Sequence, residues 1–191
     1  MMKHLSSATI AMAFAAAIIA GPAKAEGPAC REMLSAAMIE NSCAASMQLE
    51  EKYYRQDGRS CSAMFVNRDS DTPNVMRIVI NRSVNADQAR KSFQRLRSLV
   101  EKEATAEGQA KSREEYKPVT VRIDDVPEAS AGAWLVTIEN EPGKNKILFN
   151  ALVGVDTLNL ASDFSIGGNT IPCSAQQMKD LGAAVVNSMG G

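Results

Sequence analysis

The first 25 residues decide which chemistry the rest of this chain meets. Lys3 and the amino terminus form a short positive start, residues 8–20 carry no charge, and Gly21-Pro22 breaks the run. Ala23-Lys24-Ala25 then supplies the small residues at −3 and −1 that a signal peptidase recognises. The uncharged stretch of 13 residues falls short of the roughly twenty that cross a bilayer. It therefore reads as a cleaved export signal and not as an anchor. No twin-arginine pair precedes it, and Cys30, behind Gly27-Pro28-Ala29, lies too far on for a lipoprotein site. The expected division is a signal peptide over 1–25 and a single disulfide-braced α/β domain over 26–191. The expected location is the periplasm, or secretion.

Export changes how the cysteines are read. Cys30, Cys43, Cys61 and Cys173 all follow the signal, and no CxxC spacing occurs. An even number of cysteines in an oxidising compartment predicts two disulfides, with three connectivities open. A bridge from Cys173 to the N-terminal region would close a loop of more than a hundred residues, worth about 4–5 kcal/mol in the chain-entropy model. The gaps fit no zinc pattern.

Export also removes residues. The chain has 21 basic and 22 acidic residues, and losing Lys3 and Lys24 leaves a net charge of −3. Nucleic-acid binding, which uses a basic face, is not expected. The only histidine, His4, departs with the signal. Histidine triads, imidazole metal ligation and histidine pH switching depart with it.

The hydrophobic pattern supplies the elements. Met33, Leu34, Ala37 and Met38 recur at helical spacing and predict a helix over about Cys30–Glu40. Residues 41–58 are ambiguous up to the Asp57-Gly58 turn signal. Strands are expected over Ser60–Val66 and Val75–Arg82, joined as a hairpin through the polar insert 67–74. Asn85 caps a long helix, with Asp87 in its first turn and Gln88 placed to return a bond to the cap. Its apolar stripe is Ala89, Phe93, Leu96, Val100 and Ala104, and Gly108 is a stop. Four strands follow, over Val119–Ile123, Ala133–Glu139, Lys146–Val153 and Asp156–Ala161. The third and fourth are separated by a turn at Gly154. Ser174 and Gln177 fit a capping box opening a last helix to about Met189, with Met178, Leu181, Val185 and Met189 as its buried stripe. The expected fold class is α+β: a predominantly antiparallel sheet of about five to six strands, packed by an N-terminal helix, a long central helix and a C-terminal helix.

A cysteine opens the first helix in Pro28-Ala-Cys-Arg-Glu-Met-Leu34, and a second precedes an aromatic strand in Arg59-Ser-Cys-Ser-Ala-Met-Phe65. A long helix, the segment Val121-Arg-Ile-Asp-Asp-Val-Pro-Glu-Ala-Ser-Ala-Gly-Ala-Trp134, a run of strands and a closing helix follow. This order resembles the PsbP-like α/β/α domains, especially the small exported lipoprotein-type domains of that architecture. The segment from Val126 to Trp134 looks like a turn of those domains but lacks its Gly-Asp pair. The resemblance implies an accessory or binding role by analogy, brings no catalytic motif, and implies pairing of Cys30 with Cys61 and of Cys43 with Cys173.

The remaining chemistry is sparse. Asp69 and Asp71, with Asn67 and Asn74, offer oxygen ligands of the kind calcium takes, but without the Gly and Glu of an EF-hand; a solvated hairpin tip accounts for them equally. Asp124-Asp125 resembles a carboxylate pair, yet neighbours on a strand point to opposite faces. Ser165-Ile-Gly-Gly-Asn-Thr170 is glycine-rich but lacks a GK[ST] ending. Met33, Met38, Met47, Met64, Met76, Met178 and Met189 suggest copper by softness and core packing by position. The basic residues of Arg90–Arg97 read as a solvated helix face, and Tyr53, Tyr54 and Trp134 as core or rim aromatics. No catalytic, cofactor-binding or metal residue is assigned. The expected function is a non-catalytic exported module that binds a periplasmic protein or a small apolar ligand. A carboxylate-based envelope hydrolase and a periplasmic metal-binding protein are the alternatives.

Overall fold

The computed structural model describes residues 28–67, 74–105, 120–130, 132–141, 144–163 and 173–190. The expected signal peptide over 1–25, Asp69, Asp71, Gly108 and the glycine-rich run 165–170 lie outside them. The elements are α1 (Cys30–Met33), α2 (Ala36–Cys43), β1 (Gln48–Leu49), a 3-10 turn (Glu51–Tyr53), β2 (Arg55–Gln56), β3 (Ser60–Val66) and β4 (Val75–Arg82). After these come α3 (Ala86–Glu103), β5 (Thr120–Asp125), β6 (Trp134–Glu141), β7 (Lys144–Val153), β8 (Asp156–Asp163) and α4 (Ala175–Ser188).

The single N-terminal helix of the sequence reading is two short ones. Leu34 is extended and fully buried, and the Ser35 hydroxyl accepts from the Met38 N–H to start a new helix. A capping hydroxyl competes with helix continuation for the same backbone donors. The break also turns the apolar stripe. Leu34 and Ile39 are buried, whereas Ala37 is exposed.

All pairings are antiparallel, in the order β1-β3-β4-β8-β7-β6-β5, with β2 also on β3. The six expected strands are present. The sheet is larger by β1 and β2, two-residue strands from the ambiguous segment 41–58. Both lie on the outer side of β3, where they shield an edge that would otherwise expose unpaired backbone groups. From β4 the chain crosses through α3 to the far edge at β5, then returns as a meander until β8 lies beside β4. The β7–β8 hairpin closes through Gly154-Val155, and Gly154 takes the positive φ of 61° that such a turn needs.

Alternation along each strand makes two unlike faces. One carries Phe65, Met76, Ile78, Ile80, Leu135, Phe149, Leu158 and Leu160, all buried beneath α1, α2 and α4. The capping box of α4 forms as expected, with Ser174 and Gln177 exchanging bonds. Gly182 meets the sheet there. A Cβ at this position would lie 2.6 Å from the Phe149 ring, so only glycine lets α4 approach so closely. Disulfides Cys30–Cys61 and Cys43–Cys173 tie these helices down on the same side.

The other face is covered by α3 over β6, β7 and β8, where Phe93 packs on Trp134 with ring centroids 6.0 Å apart. Asn85 caps α3 through the Gln88 N–H, without a reciprocal bond from the Gln88 side chain among the described residues. Its stripe is narrower than the sequence pattern: Ala89 and Phe93 are buried and Val100 and Ala104 half-buried, but Leu96 is exposed. Over β3 and β4 this face is more open. Ser62, Met64 and Val79 are half-buried, and Arg77 and Asn81 are exposed. At the end of the sheet Arg82 holds Asp156 of β8 through two 2.9 Å bonds, in register across β4 and β8. Those bonds raise the guanidinium pKa further and join two strands distant in sequence.

Candidate functional site

Between β1 and β2 the chain leaves the edge of β3 and returns. Strand β1 pairs with Phe65 and Val66, β2 pairs with Cys61 and Ser62, and the 3-10 turn bridges the interval. Beside that turn lies a groove of about 220 Å³, lined by Tyr53, Arg55, Ser62, Ala63, Met64 and Arg77. Register places most of this lining on one face. Arg55 stands opposite Ser62, and Met64 stands opposite Arg77. Residues 62 and 64 are two apart on β3, so all four side chains share the side away from α4.

The turn is held from beneath. The Arg31 guanidinium lies 3.9 Å from the centre of the Tyr54 ring and bonds Glu51 at 3.2 Å. Arg31 follows Cys30, whose bridge to Cys61 anchors α1 on β3. The disulfide thus positions the arginine that braces the turn, and the turn positions Tyr53 and Arg55. Arg55 Nη1 donates to the carbonyls of Lys52 and Tyr54, each at 2.8 Å. At the far end Asp57 accepts from the Arg59 and Ser60 N–H groups, both at 2.7 Å, and from the Ser60 hydroxyl at 3.0 Å. The N–H of Arg59, then that of Ser60, hold its carboxyl below the usual pKa of 3.8.

Nearby acids are committed elsewhere. Glu51 pairs with Arg31, Glu50 lies 3.8 Å from Lys52, and Asp57 closes the turn into β3. Arg55 and Arg77 form no ion pair with any described residue. Among the described residues, the groove lining includes no carboxylate. It is equipped to hold a ligand by guanidinium, hydroxyl and aromatic contacts.

The residues singled out in the sequence lie elsewhere. Asp125 accepts from Arg97 at 2.7 Å on the α3 side, whereas Asp124 lies on the opposite face, 3.6 Å from Arg122. They form no shared carboxylate site. Of the calcium-type loop, Asp69 and Asp71 are outside the described residues, and Asn74 leads into β4 with its carbonyl accepting from Asn67. Among the described residues no group of three or more His, Cys, Asp or Glu side chains is placed to hold a metal ion. Met47, Met76 and Met178 are core residues, and Met33, Met38 and Met189 pack against them. Only Met64 lies on the groove. On α3, Arg90 is 3.7 Å from Asp87, and Arg97 bonds Glu101 and Asp125, which raises its pKa. Trp134 is buried, whereas Tyr53 is 47 % exposed at the groove.

Sequence reading missed Arg55 and Arg77. Arg55 falls in the segment left ambiguous. Arg77 had a legible signal: Met76, Ile78 and Ile80 claim the inward positions of β4, leaving an arginine between Val75 and Val79 on the other face.

Two disulfides are compatible with an exported protein. No helix among the described residues is long and apolar enough to cross a membrane. Compared with protein-family models, curated proteins and solved structures, the chain matches none.

Proposed function

We propose that this chain is an exported, non-catalytic accessory module that works by binding a periplasmic protein or a small apolar ligand. The groove beside β3 carries the reading: it is concave and partly apolar, and among the described residues its lining holds no carboxylate for acid–base work. The signal pattern of residues 1–25 supports export. A sheet lies between α3 and the disulfide-tied helices, and kinship to the PsbP-like domains belongs to this proposal as an analogy drawn from the sequence. The interface between the sheet and α3 is filled by Phe93 and Trp134, and the binding surface proposed is the β3 edge.

Photo-crosslinking in cells tests this. A crosslinking residue at Ser62 is expected to yield an adduct that the same residue at exposed Gln176 on α4 does not. The adduct mass then distinguishes a protein from a small ligand. No adduct at position 62, or equal yields at 62 and 176, overturns the proposal.

A further inference from the structure

The charge around the groove runs against that of the chain. Residues 26–191 carry a net charge of −3, yet two guanidiniums face one hollow without a carboxylate partner among the described residues. An exposed arginine usually has water or a surface acid for company, and one such residue means little. Here there are two, on adjacent rows of the same sheet face, and Glu50, Glu51 and Asp57 are each engaged elsewhere.

Geometry lets the pair act together. Arg55 on β2 and Arg77 on β4 flank β3, one level apart along it. Strand spacing and residue rise put their Cα atoms roughly 12 Å apart. Two side chains of arginine length bridge that span onto a single small group. Nη1 of Arg55 is tethered by the carbonyls of Lys52 and Tyr54, while Nε and Nη2 have no partner among the described residues. Tethering removes side-chain freedom before any ligand arrives, which lowers the entropic cost of binding. The planar fork of guanidinium donors matches the two oxygens of a carboxylate or phosphate.

We infer that the groove binds an oxyanion, carboxylate or phosphate, carried on a compact apolar body. Arg55 and Arg77 receive the anion, and Tyr53 and Met64 receive the apolar part. The volume of about 220 Å³ suits a small ligand or one end of a larger one, since whole drug-sized ligands occupy about 300–1,000 Å³. The inference rests on the binding role proposed above and names its ligand class.

Calorimetric titration of the mature chain with phenyl phosphate, benzoate, inorganic phosphate and neutral benzyl alcohol tests it. Saturable binding of phenyl phosphate and benzoate is expected, with benzyl alcohol at least about tenfold weaker, because a charge-assisted bond is worth that much. Inorganic phosphate should also bind more weakly, lacking the apolar part. Arg77→Gln and Arg55→Gln should each weaken the aromatic anions about tenfold or more, Arg77→Lys should lose less than Arg77→Gln, and Arg90→Gln on α3 should lose nothing. Arg55 and Arg77 are exposed, so unchanged melting curves check that the variants fold. Absence of saturable binding at about 10 mM anion, unchanged binding in Arg77→Gln, or equally tight benzyl alcohol overturns the inference. If position 62 still crosslinks in the Arg55→Gln/Arg77→Gln variant while the anions do not bind the native chain, the binding role stands and the anion is wrong. If position 62 never crosslinks, the binding role itself falls.

Discussion

The same strands build a closed face and an open one, and neighbouring residues on β4 show how different these are. Ile78 is fully buried beneath the helices of the closed side, whereas Arg77 and Val79 on either side of it face the other way, exposed and half-buried. Both disulfides and the main apolar core belong to the closed side. The open side has α3 across part of its width and the arginine-lined groove beyond it. Stability and recognition are thereby divided between alternate residues of one sheet. The link between the faces is α1, whose Cys30 bridges to Cys61 on the closed side and whose Arg31 braces the turn beside the groove.

Covalent braces give the largest test of that division. Cys43–Cys173 spans 130 residues and Cys30–Cys61 spans 31. In the chain-entropy model their loss costs about 5 and about 4 kcal/mol respectively. Urea unfolding of the Cys43→Ser/Cys173→Ser and Cys30→Ser/Cys61→Ser variants should rank in that order. The second pair should also weaken the groove, because α1 carries the Arg31 that braces Tyr54 and Glu51. Equal losses, or a groove indifferent to Cys30–Cys61, would break the link drawn between the disulfide and the site.

Adjacent truncations on β4 sharpen the comparison further. Ile78→Ala should cost about 3–4 kcal/mol, as expected where a fully buried side chain leaves a cavity. Val79→Ala should cost about 1 kcal/mol, from partial burial and strand preference alone. Denaturant midpoints at constant m-value measure both. If the two costs matched, the α3 face over β4 would be as closed as its opposite.

The smallest effect is electrostatic and confined to the turn into β3. Asp57 has its pKa lowered in the folded chain by the Arg59 and Ser60 N–H groups. Unfolded, it binds a proton near 3.8; folded, it resists protonation to lower pH. Its contribution to stability is therefore present above that value and is lost as pH falls through the folded-state pKa. Because the carboxyl is fully exposed, the expected change is slight, and Asp57→Asn should remove it. An NMR titration of the Asp57 carboxyl in which the pKa lay at or above 3.8 would contradict the assignment.

Much of the fold was legible because the residues that specify it act locally. Asn85, Ser174 and Gln177 announced two helix starts, and period-two alternation announced six strands. The export expected from residues 1–25, with the even cysteine count, announced two bridges. Failures occurred where local signals compete or are too short. Ser35 caps a helix inside an otherwise helical stripe, and β1 and β2 have two residues each, too few for any period to show.

Sequence by itself determined the class of fold, the absence of histidine chemistry after residue 25, and which residues of each long strand share a face. Tertiary structure alone decided what those faces meet. Whether Leu96 is buried depends on where α3 docks, and whether Phe149 tolerates α4 depends on Gly182 being 33 residues away in sequence but in contact in space. The groove is the extreme case. Arg55 and Arg77 stand 22 residues apart, and they share a hollow only because two short strands fold back on the outer side of β3. Local preference cannot carry that information, since the pairing is made through a third strand and its energy comes from closing the chain around it.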